Sequence, residues 1–454
     1  MRANVKKCER MVFAECAEDA SRIGTQCEAL RLQGQPIPAV TKARYLGLVY
    51  GPERAFSSCR EALNDAARGA MFSLMSCTQK RKILAPDVRM HLFDAQVRAI
   101  ATYGCEAWGP DMLLDALKGG PPGNRARNST NLAHGLFEAA VRDPAVKLQI
   151  TFMRRCAGVA RPAHRLLFAE LGQLPMHYHV FKTIIGFYSR IQKQRHSLCY
   201  KALRDELIEA IQARGNGPAD LRTLDRWGRA FLHLIEILAD VWAGSPADLH
   251  RRTAAERADF LLSRPLPEAA LLGAFRARLM SGWEHARLAT APDAFPSDGI
   301  QPGIQMAKYK HWMGLGFQGH APTMSPAHMH ATIPYESHRM LMRFRLCQWP
   351  LAANRLHHLG REHRKCCLCN GAVEDERHVL VSCSGYADIR AKYGLGSSTD
   401  MQAIMRCGDQ VKIANCLREI WARRTTQMAE VGTASATRDQ DDDTSRDDGP
   451  LRLA

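Results

Sequence analysis

Four residues toward the C-terminal end of the chain have the types and spacing to hold a metal ion. Residues 366–383, CCLCNGAVEDERHVLVSC, spell Cys-x2-Cys-x8-His-x4-Cys, with Cys366, Cys369, His378 and Cys383 as the ligands. A two-residue spacer lets both sulfurs of a Cys-x2-Cys hook reach one ion. Asn370-Gly371 favours the turn behind it, and the His/Cys pair completes a tetrahedral set suited to Zn²⁺. With four protein ligands no coordination position stays open, so the chemistry implied is structural rather than catalytic. Cys367 complicates the hook, since Cys367-x-Cys369 is a second spacing. A one-residue spacer leaves little room for a chelating loop, which favours Cys366, and His363 stands in reserve.

Other chemistry is scarce. Gly314-Leu315-Gly316-Phe317-Gln318-Gly319 spells G-x-G-x-x-G, with Glu336 twenty residues past Gly316, but no strand leads into it and no βαβ pattern surrounds it. Nucleotidyl transfer by two metal ions needs carboxylates held together on adjacent strands. The Asp-rich runs here, Asp441–Asp443 and Asp447-Asp448, lie in a terminal stretch with no strand pattern. No Ser/His/Asp or Cys/His nucleophile context is present. No residue is assigned a catalytic role, and no small-molecule substrate is implied.

The charge points to a partner. A formal net charge of +16 and an isoelectric point near 9.3 favour a polyanion, with RNA or DNA ahead of an anionic membrane surface. Candidate phosphate contacts are Lys80, Arg81 and Lys82; Arg154 and Arg155; Arg361, Arg364 and Lys365; and Arg423 and Arg424. Such contacts supply affinity without sequence specificity. Trp108, Trp349 and Tyr386 are either base-stacking platforms or core. Residues 431–454 hold six Asp against three Arg and show no apolar periodicity, the pattern of a disordered acidic tail. Fifteen cysteines, an odd number spread along the chain, do not form a secreted disulfide framework. No secretory signal and no run of roughly 18–20 apolar residues is evident, and a nuclear or cytoplasmic setting is expected.

The elements that must position these residues are predicted to be mainly α. RMVFAE and ARYLGLVY, in residues 1–55, have strand character and are expected to pair antiparallel. From Phe56 apolar residues recur at Cys59, Leu63, Ala67, Ala70 and Leu74, one face of a long helix. A second helix, opened by Pro86, is expected to bury Leu92, Phe93, Val97 and Ile100 and to end near Gly104; together these helices form 56–118. Residues 119–135 are a breaker-rich linker. Within 136–288, Asp143-Pro144 starts a helix carrying Leu148, Phe152 and Cys156, and further helices fall at 164–171, 176–196, 200–213, 219–243 and 266–288. Residues 289–335, rich in Pro, Gly and His, are expected to be irregular. The zinc-knuckle region spans 336–395, a C-terminal helix 396–430, and the tail 431–454.

Three segments in this order resemble the C-terminal part of reverse transcriptases from non-LTR (LINE-type) retrotransposons. The first is ANVKKCERMVF followed by RYLGLVY, similar to the late palm and primer-grip region through Asn4, Lys7, Tyr45, Leu46 and Gly47. The second, LFDAQVRAIATYGCEAWG, resembles the thumb helix ending in Tyr-Gly-x-Glu-x-Trp, here Tyr103, Gly104, Glu106 and Trp108. It continues in LQITFMRRCAGV and LLFAELGQLPM. The third is the Cys/His cluster with Tyr386 and Arg390, similar to the family's terminal zinc knuckle. The resemblance implies a palm remnant, a thumb-like helical bundle and a CCHC knuckle. It implies that Tyr45 and Gly47 join Lys80, Arg81, Lys82, Arg361, Arg364 and Lys365 in nucleic-acid contact. The family's role is RNA-directed DNA synthesis, but its catalytic carboxylates precede the matching region. The chain is therefore expected to be a truncated segment that binds template–primer, target DNA or RNA and has no polymerase activity alone. The rival reading is a non-catalytic, zinc-stabilised helical protein that binds other proteins.

Overall fold

The computed structural model describes residues 8–12, 17–51, 56–118, 136–215, 227–238, 253–280, 302–313, 326–356, 358–396 and 400–430. Asn4, Lys7, the 119–135 linker, the 314–319 glycine motif and the 431–454 tail lie outside them. The described chain is mainly helical, with a few short antiparallel strands. It divides into two compact units, each drawn from three separate stretches. One comprises 1–73, 94–145 and 176–276, and the other 74–93, 146–175 and 277–454. Among the described residues no helix is long and apolar enough to cross a membrane.

In the first unit the strands differ from expectation. Of RMVFAE only Arg10–Val12 fall among the described residues, and these do not pair with ARYLGLVY. Strand β1 (Arg31–Leu32) turns back on β2 (Gln35–Pro36), and β3 (Ala43–Tyr45) on β4 (Leu48–Tyr50). Arg10 instead makes an isolated parallel bridge to Ala39. The reason is local turn chemistry. Leu46 and Gly47 both take positive φ, 49° and 85°, the two-residue turn whose twist matches a hairpin, so ARYLGLVY closes on itself before it can meet a distant strand.

This hairpin rests on the helix that follows. The Tyr103 hydroxyl donates to the Leu46 carbonyl at 2.9 Å, and Trp108 Nε1–H donates to the Tyr103 carbonyl at 3.0 Å. The Tyr-Leu-Gly turn and the Tyr-Gly-x-Glu-x-Trp segment are thus in direct contact. The helix feeding Tyr103 is not continuous. Pro86–Phe93 is α, Asp94–Arg98 is a π turn, and Ala99–Ala101 closes the run. The extra residue in a π turn rotates the register. Phe93 and Val97 are therefore fully buried, while Leu92 and Ile100, expected beside them, are only half-buried.

The Cys105–Lys118 helix packs on Met176–Lys193 and on Trp227–Ile237. Gly109 permits the first approach, because a Cβ there would stand 2.7 Å from Val180 Cγ1 and 2.9 Å from Ile184 Cδ1. Trp227 stacks on Phe231 and Phe231 on Tyr188, at 5.0 and 4.5 Å between ring centroids. The Ala254–Ser263 helix, absent from the expected set, is started by a capping box between Thr253 and Glu256.

The second unit holds the Cys/His cluster. Asp143 caps the Pro144–Ala157 helix through the Ala145 N–H at 2.9 Å, and Leu148, Phe152 and Cys156 are buried as the sequence implies. Residues 289–335 are not wholly irregular. Pro302 opens a helix, Pro302–Trp312, that buries Ala307, Tyr309 and Trp312. Its Tyr309 hydroxyl donates to Glu170 Oε2 at 2.8 Å, and Glu170 Oε1 lies 3.2 Å from His328 Nε2. Arg345, 1% exposed, reaches the Met405 carbonyl at 2.9 Å and Gln410 Oε1 at 2.5 Å. These buried links tie the Tyr335–Arg345 helix to the Gln410–Glu430 helix, which buries Ile413, Leu417 and Ile420.

Candidate metal centre

The hook is built by a short antiparallel turn. Lys365 bridges Val373, the Cys366 N–H donates to the Ala372 carbonyl at 2.8 Å, and the Asn370 N–H donates to the Cys366 carbonyl at 2.9 Å. Asn370 takes φ 52°, a left-handed conformation that Asn tolerates because its short amide can bond locally. The chain reverses there, and the Gly371 N–H points at Cys369 Sγ, 3.5 Å away.

The second ligand pair comes from an uncommon turn. Asp375 Oδ1 accepts the His378 N–H at 2.7 Å and starts a π turn over His378–Ser382. The Cys383 N–H returns to the His378 carbonyl at 2.7 Å, five residues back. This five-residue return explains the His-x4-Cys spacing, because it carries Cys383 back beneath His378.

The four donor atoms lie within 4.8 Å of one another. Cys366 Sγ and Cys383 Sγ are 3.7 Å apart, and Cys369 Sγ is 3.3 Å from His378 Nε2. Tetrahedral Zn²⁺, with bonds of about 2.3 Å to sulfur and about 2.0 Å to nitrogen, separates such pairs by roughly 3.8 and roughly 3.5 Å. The residues fit the ion. Their burial fits it as well, with Cys366 at 1%, Cys383 at 0% and His378 at 8% exposure. The far ring nitrogen of His378, Nδ1, stands 3.4 Å from the Ser382 hydroxyl, the outer hydrogen bond that orients a ligating imidazole.

The electrostatics follow from crowding. The Cys366 thiol is pushed down by hydrogen bonds from Cys367 and then Cys383, whereas those two are pushed up chiefly by donating to it. A dication supplies the charge that would let the ligating thiols all ionise.

Cys367 falls outside the four-donor set, and its Sγ stands 3.7 Å from Glu374 Oε1. Cys367→Ser is therefore expected to leave metal stoichiometry at that of the unmodified chain. Metal analysis of the purified variant checks this, and loss of the ion would place Cys367 among the ligands. His363 is exposed and lies 3.6 Å from Glu362, again outside the set.

Two buried carboxylates brace the loop between the ligand pairs. Glu374, 1% exposed, accepts Arg424 Nε at 2.7 Å and Nη2 at 2.9 Å, together with the Ala352 N–H at 2.9 Å. Glu376, also 1% exposed, accepts Lys308 Nζ at 2.8 Å and Asn354 Nδ2 at 2.9 Å. Sequence reasoning missed both. The available signal was Arg424, which shares a helical face with Leu417 and Ile420; a charge on an apolar face needs a buried partner.

The basic residues divide accordingly. Lys80, Arg81 and Lys82 are exposed where the Ser57–Lys80 helix ends, with Lys82 at φ 54° and the Ile83 N–H returning to the Thr78 carbonyl at 2.8 Å. Lys365 is exposed on the hook. Arg361 lies in the Arg361–His363 turn. Arg364 departs from its expected role as a phosphate contact: it is 6% exposed and donates through Nε to the Leu359 carbonyl at 2.8 Å, which makes it part of the frame. Arg424 is buried on Glu374, and Arg423 is clamped on Asp388 at 2.5 and 2.6 Å, so neither is directed at a phosphate. Arg154 and Arg155 are half-buried in the last turn of their helix. Tyr45 and Gly47 are exposed on the hairpin turn of the other unit. Trp108, Trp349 and Tyr386 are 3%, 1% and 0% exposed and belong to the core.

Fold and site together define a mainly helical protein with a Cys₃His set able to hold a metal ion. No protein-family model, curated protein or solved structure matches the chain.

Proposed function

We propose that the chain is a zinc-stabilised nucleic-acid-binding protein, corresponding to the thumb and terminal knuckle of a non-LTR retrotransposon reverse transcriptase. The observation that carries this reading is the closed Cys₃His donor set on a chain of net charge +16. A closed set is structural, so the ion shapes a surface instead of reacting. The excess charge selects a polyanion for that surface. Exposed Lys80, Arg81, Lys82 and Lys365 are its phosphate contacts. The contact between the Tyr-Leu-Gly turn and Tyr103 supports the resemblance, since the two motifs that suggest the family are also neighbours in space.

A salt titration of binding to RNA and to duplex DNA tests the reading. Affinity is expected to fall steeply and linearly in log–log form, with a slope near −0.9 per phosphate for duplex DNA and about −0.7 for single strands. Replacing Lys80, Arg81 and Lys82 together by Ala is expected to make the slope shallower by roughly two to three. No binding even at about 50 mM salt overturns the proposal, because counterion release is then at its strongest.

A further inference from the structure

Two stretches of the second unit carry cations without acids. Residues 146–169 hold five Lys or Arg and no Asp or Glu, and residues 337–361 hold five Arg and again no Asp or Glu. The fold joins them at one connector, residues 158–163, between the Pro144–Ala157 and His164–Glu170 helices. Gly158 takes φ 62° there, and the Arg339 side chain packs against it. A Cβ at 158 would stand 2.5 Å from Arg339 Nε and 3.0 Å from its Cγ, so glycine leaves the arginine its place. Three residues on, Gln348 holds both backbone groups of Arg161. Its Oε1 accepts the Arg161 N–H and its Nε2 donates to the Arg161 carbonyl, each at 3.4 Å. The Val159 N–H returns to the Arg154 carbonyl at 3.1 Å. Arg154, Arg161 and Arg339 are thus set around a single connector.

These three cations are not matched from within. Among the described residues none of them has a carboxylate partner, whereas Arg345, on the same helix as Arg339, reaches Glu170. Arg161 is exposed, and Arg154 and Arg339 are half-buried. The Nε–H groups of Arg154 and Arg339 are buried with no acceptor. Methionine would pack the same stems without leaving a donor unsatisfied, so packing alone does not account for arginine at these positions. A guanidinium forks onto phosphate oxygens, and a nucleic-acid backbone offers such oxygens in series. Lys80, Arg81, Lys82 and Lys365, the phosphate contacts inferred above, belong to the same unit.

We propose that the 158–163 connector is a second phosphate-contacting surface, on which Arg154, Arg161 and Arg339 bind the backbone of a nucleic-acid strand. The inference rests on the nucleic-acid reading and adds contacts that it does not include. Contacts to phosphate carry affinity and little sequence preference.

The test uses the full chain and whichever of labelled RNA or duplex DNA it binds more tightly, titrated with salt. Arg161→Gln combined with Arg339→Gln is expected to weaken binding and to make the log–log slope shallower by about 1.8 on duplex DNA or about 1.4 on RNA. Arg161→Lys combined with Arg339→Lys keeps both charges and is expected to keep the slope. Arg154→Gln combined with Arg161→Gln leaves the Gly158 contact untouched and is expected to repeat the first result. Thermal unfolding without nucleic acid is expected to be alike in all four chains. Glutamine variants that bind with the unmodified slope and affinity overturn the proposal and leave the nucleic-acid reading standing. So does a lysine variant that loses as much as the glutamine one, which would assign the arginines to packing. Competition by polyglutamate as effective as by unlabelled nucleic acid would assign the surface to an acidic protein, again overturning the proposal. An unmodified chain that binds neither RNA nor DNA overturns the nucleic-acid reading itself, and this inference with it.

Discussion

Cys369→Ala and His378→Ala are each expected to abolish the binding of one Zn²⁺ per chain and to unfold the core around the cluster. Cys366 and Cys383 are not appended to that core but belong to it, packed with Trp349, Leu380, Tyr386, Leu417 and Ile420. Three sulfurs and an imidazole within 4.8 Å could hold a cation, and their mutual hydrogen bonding pushes the Cys366 thiol down and the Cys383 thiol up. Structural zinc in a comparable setting contributes on the order of 10 kcal/mol to folding, as much as the whole stability of an ordinary domain. Removing one ligand leaves three donors and an open position, and most of that contribution is lost. Metal content after dialysis and thermal unfolding followed by circular dichroism report the two effects separately. Retention of the ion by both variants would show that other residues hold it.

The second large effect is expected at the pair behind the hook. Glu374→Ala or Arg424→Ala should each destabilise the chain by about 3–5 kcal/mol, the usual result of leaving one partner of a buried ion pair uncompensated. The pair is bidentate and almost wholly buried. The peptide N–H of Glu374 also donates to the Arg364 carbonyl at 2.9 Å, in the ladder that sets Cys366. Metal affinity is therefore expected to fall with stability in both variants. Glu374→Leu combined with Arg424→Met should recover part of the loss, because an apolar pair needs no desolvation compensation. Chemical denaturation of the unmodified chain, the two single variants and the double variant measures this. Single variants costing under about 1 kcal/mol would mean that the pair is solvated in solution.

Sequence spacing revealed the hook, because Cys-x2-Cys constrains geometry within a single turn. It also revealed most helices, where apolar residues recur on one face and Asp143-Pro144 marks a start. It could not show that His378–Ser382 is a π turn, since five-residue returns leave no compositional trace. The partners of Glu374 and Glu376 were hidden for a different reason. Arg424 lies 50 positions and Lys308 lies 68 positions away in the chain, and a run of acids between two ligand pairs looks like an ordinary solvated loop. ARYLGLVY had two ways to satisfy its backbone, and the Leu46-Gly47 turn favoured the local hairpin.

The fusion of the cluster with the helical core has a consequence for the life of the protein in a cell. A stability linked to a bound ion varies with the free concentration of that ion, by about 1.4 kcal/mol for each tenfold change once the site is partly filled. Unfolded chains are removed by proteases, so such shifts alter abundance several-fold. An ion held at this cluster would therefore tie the amount of the protein to the supply of that metal, and a shortage would lower it without any regulator acting on its gene.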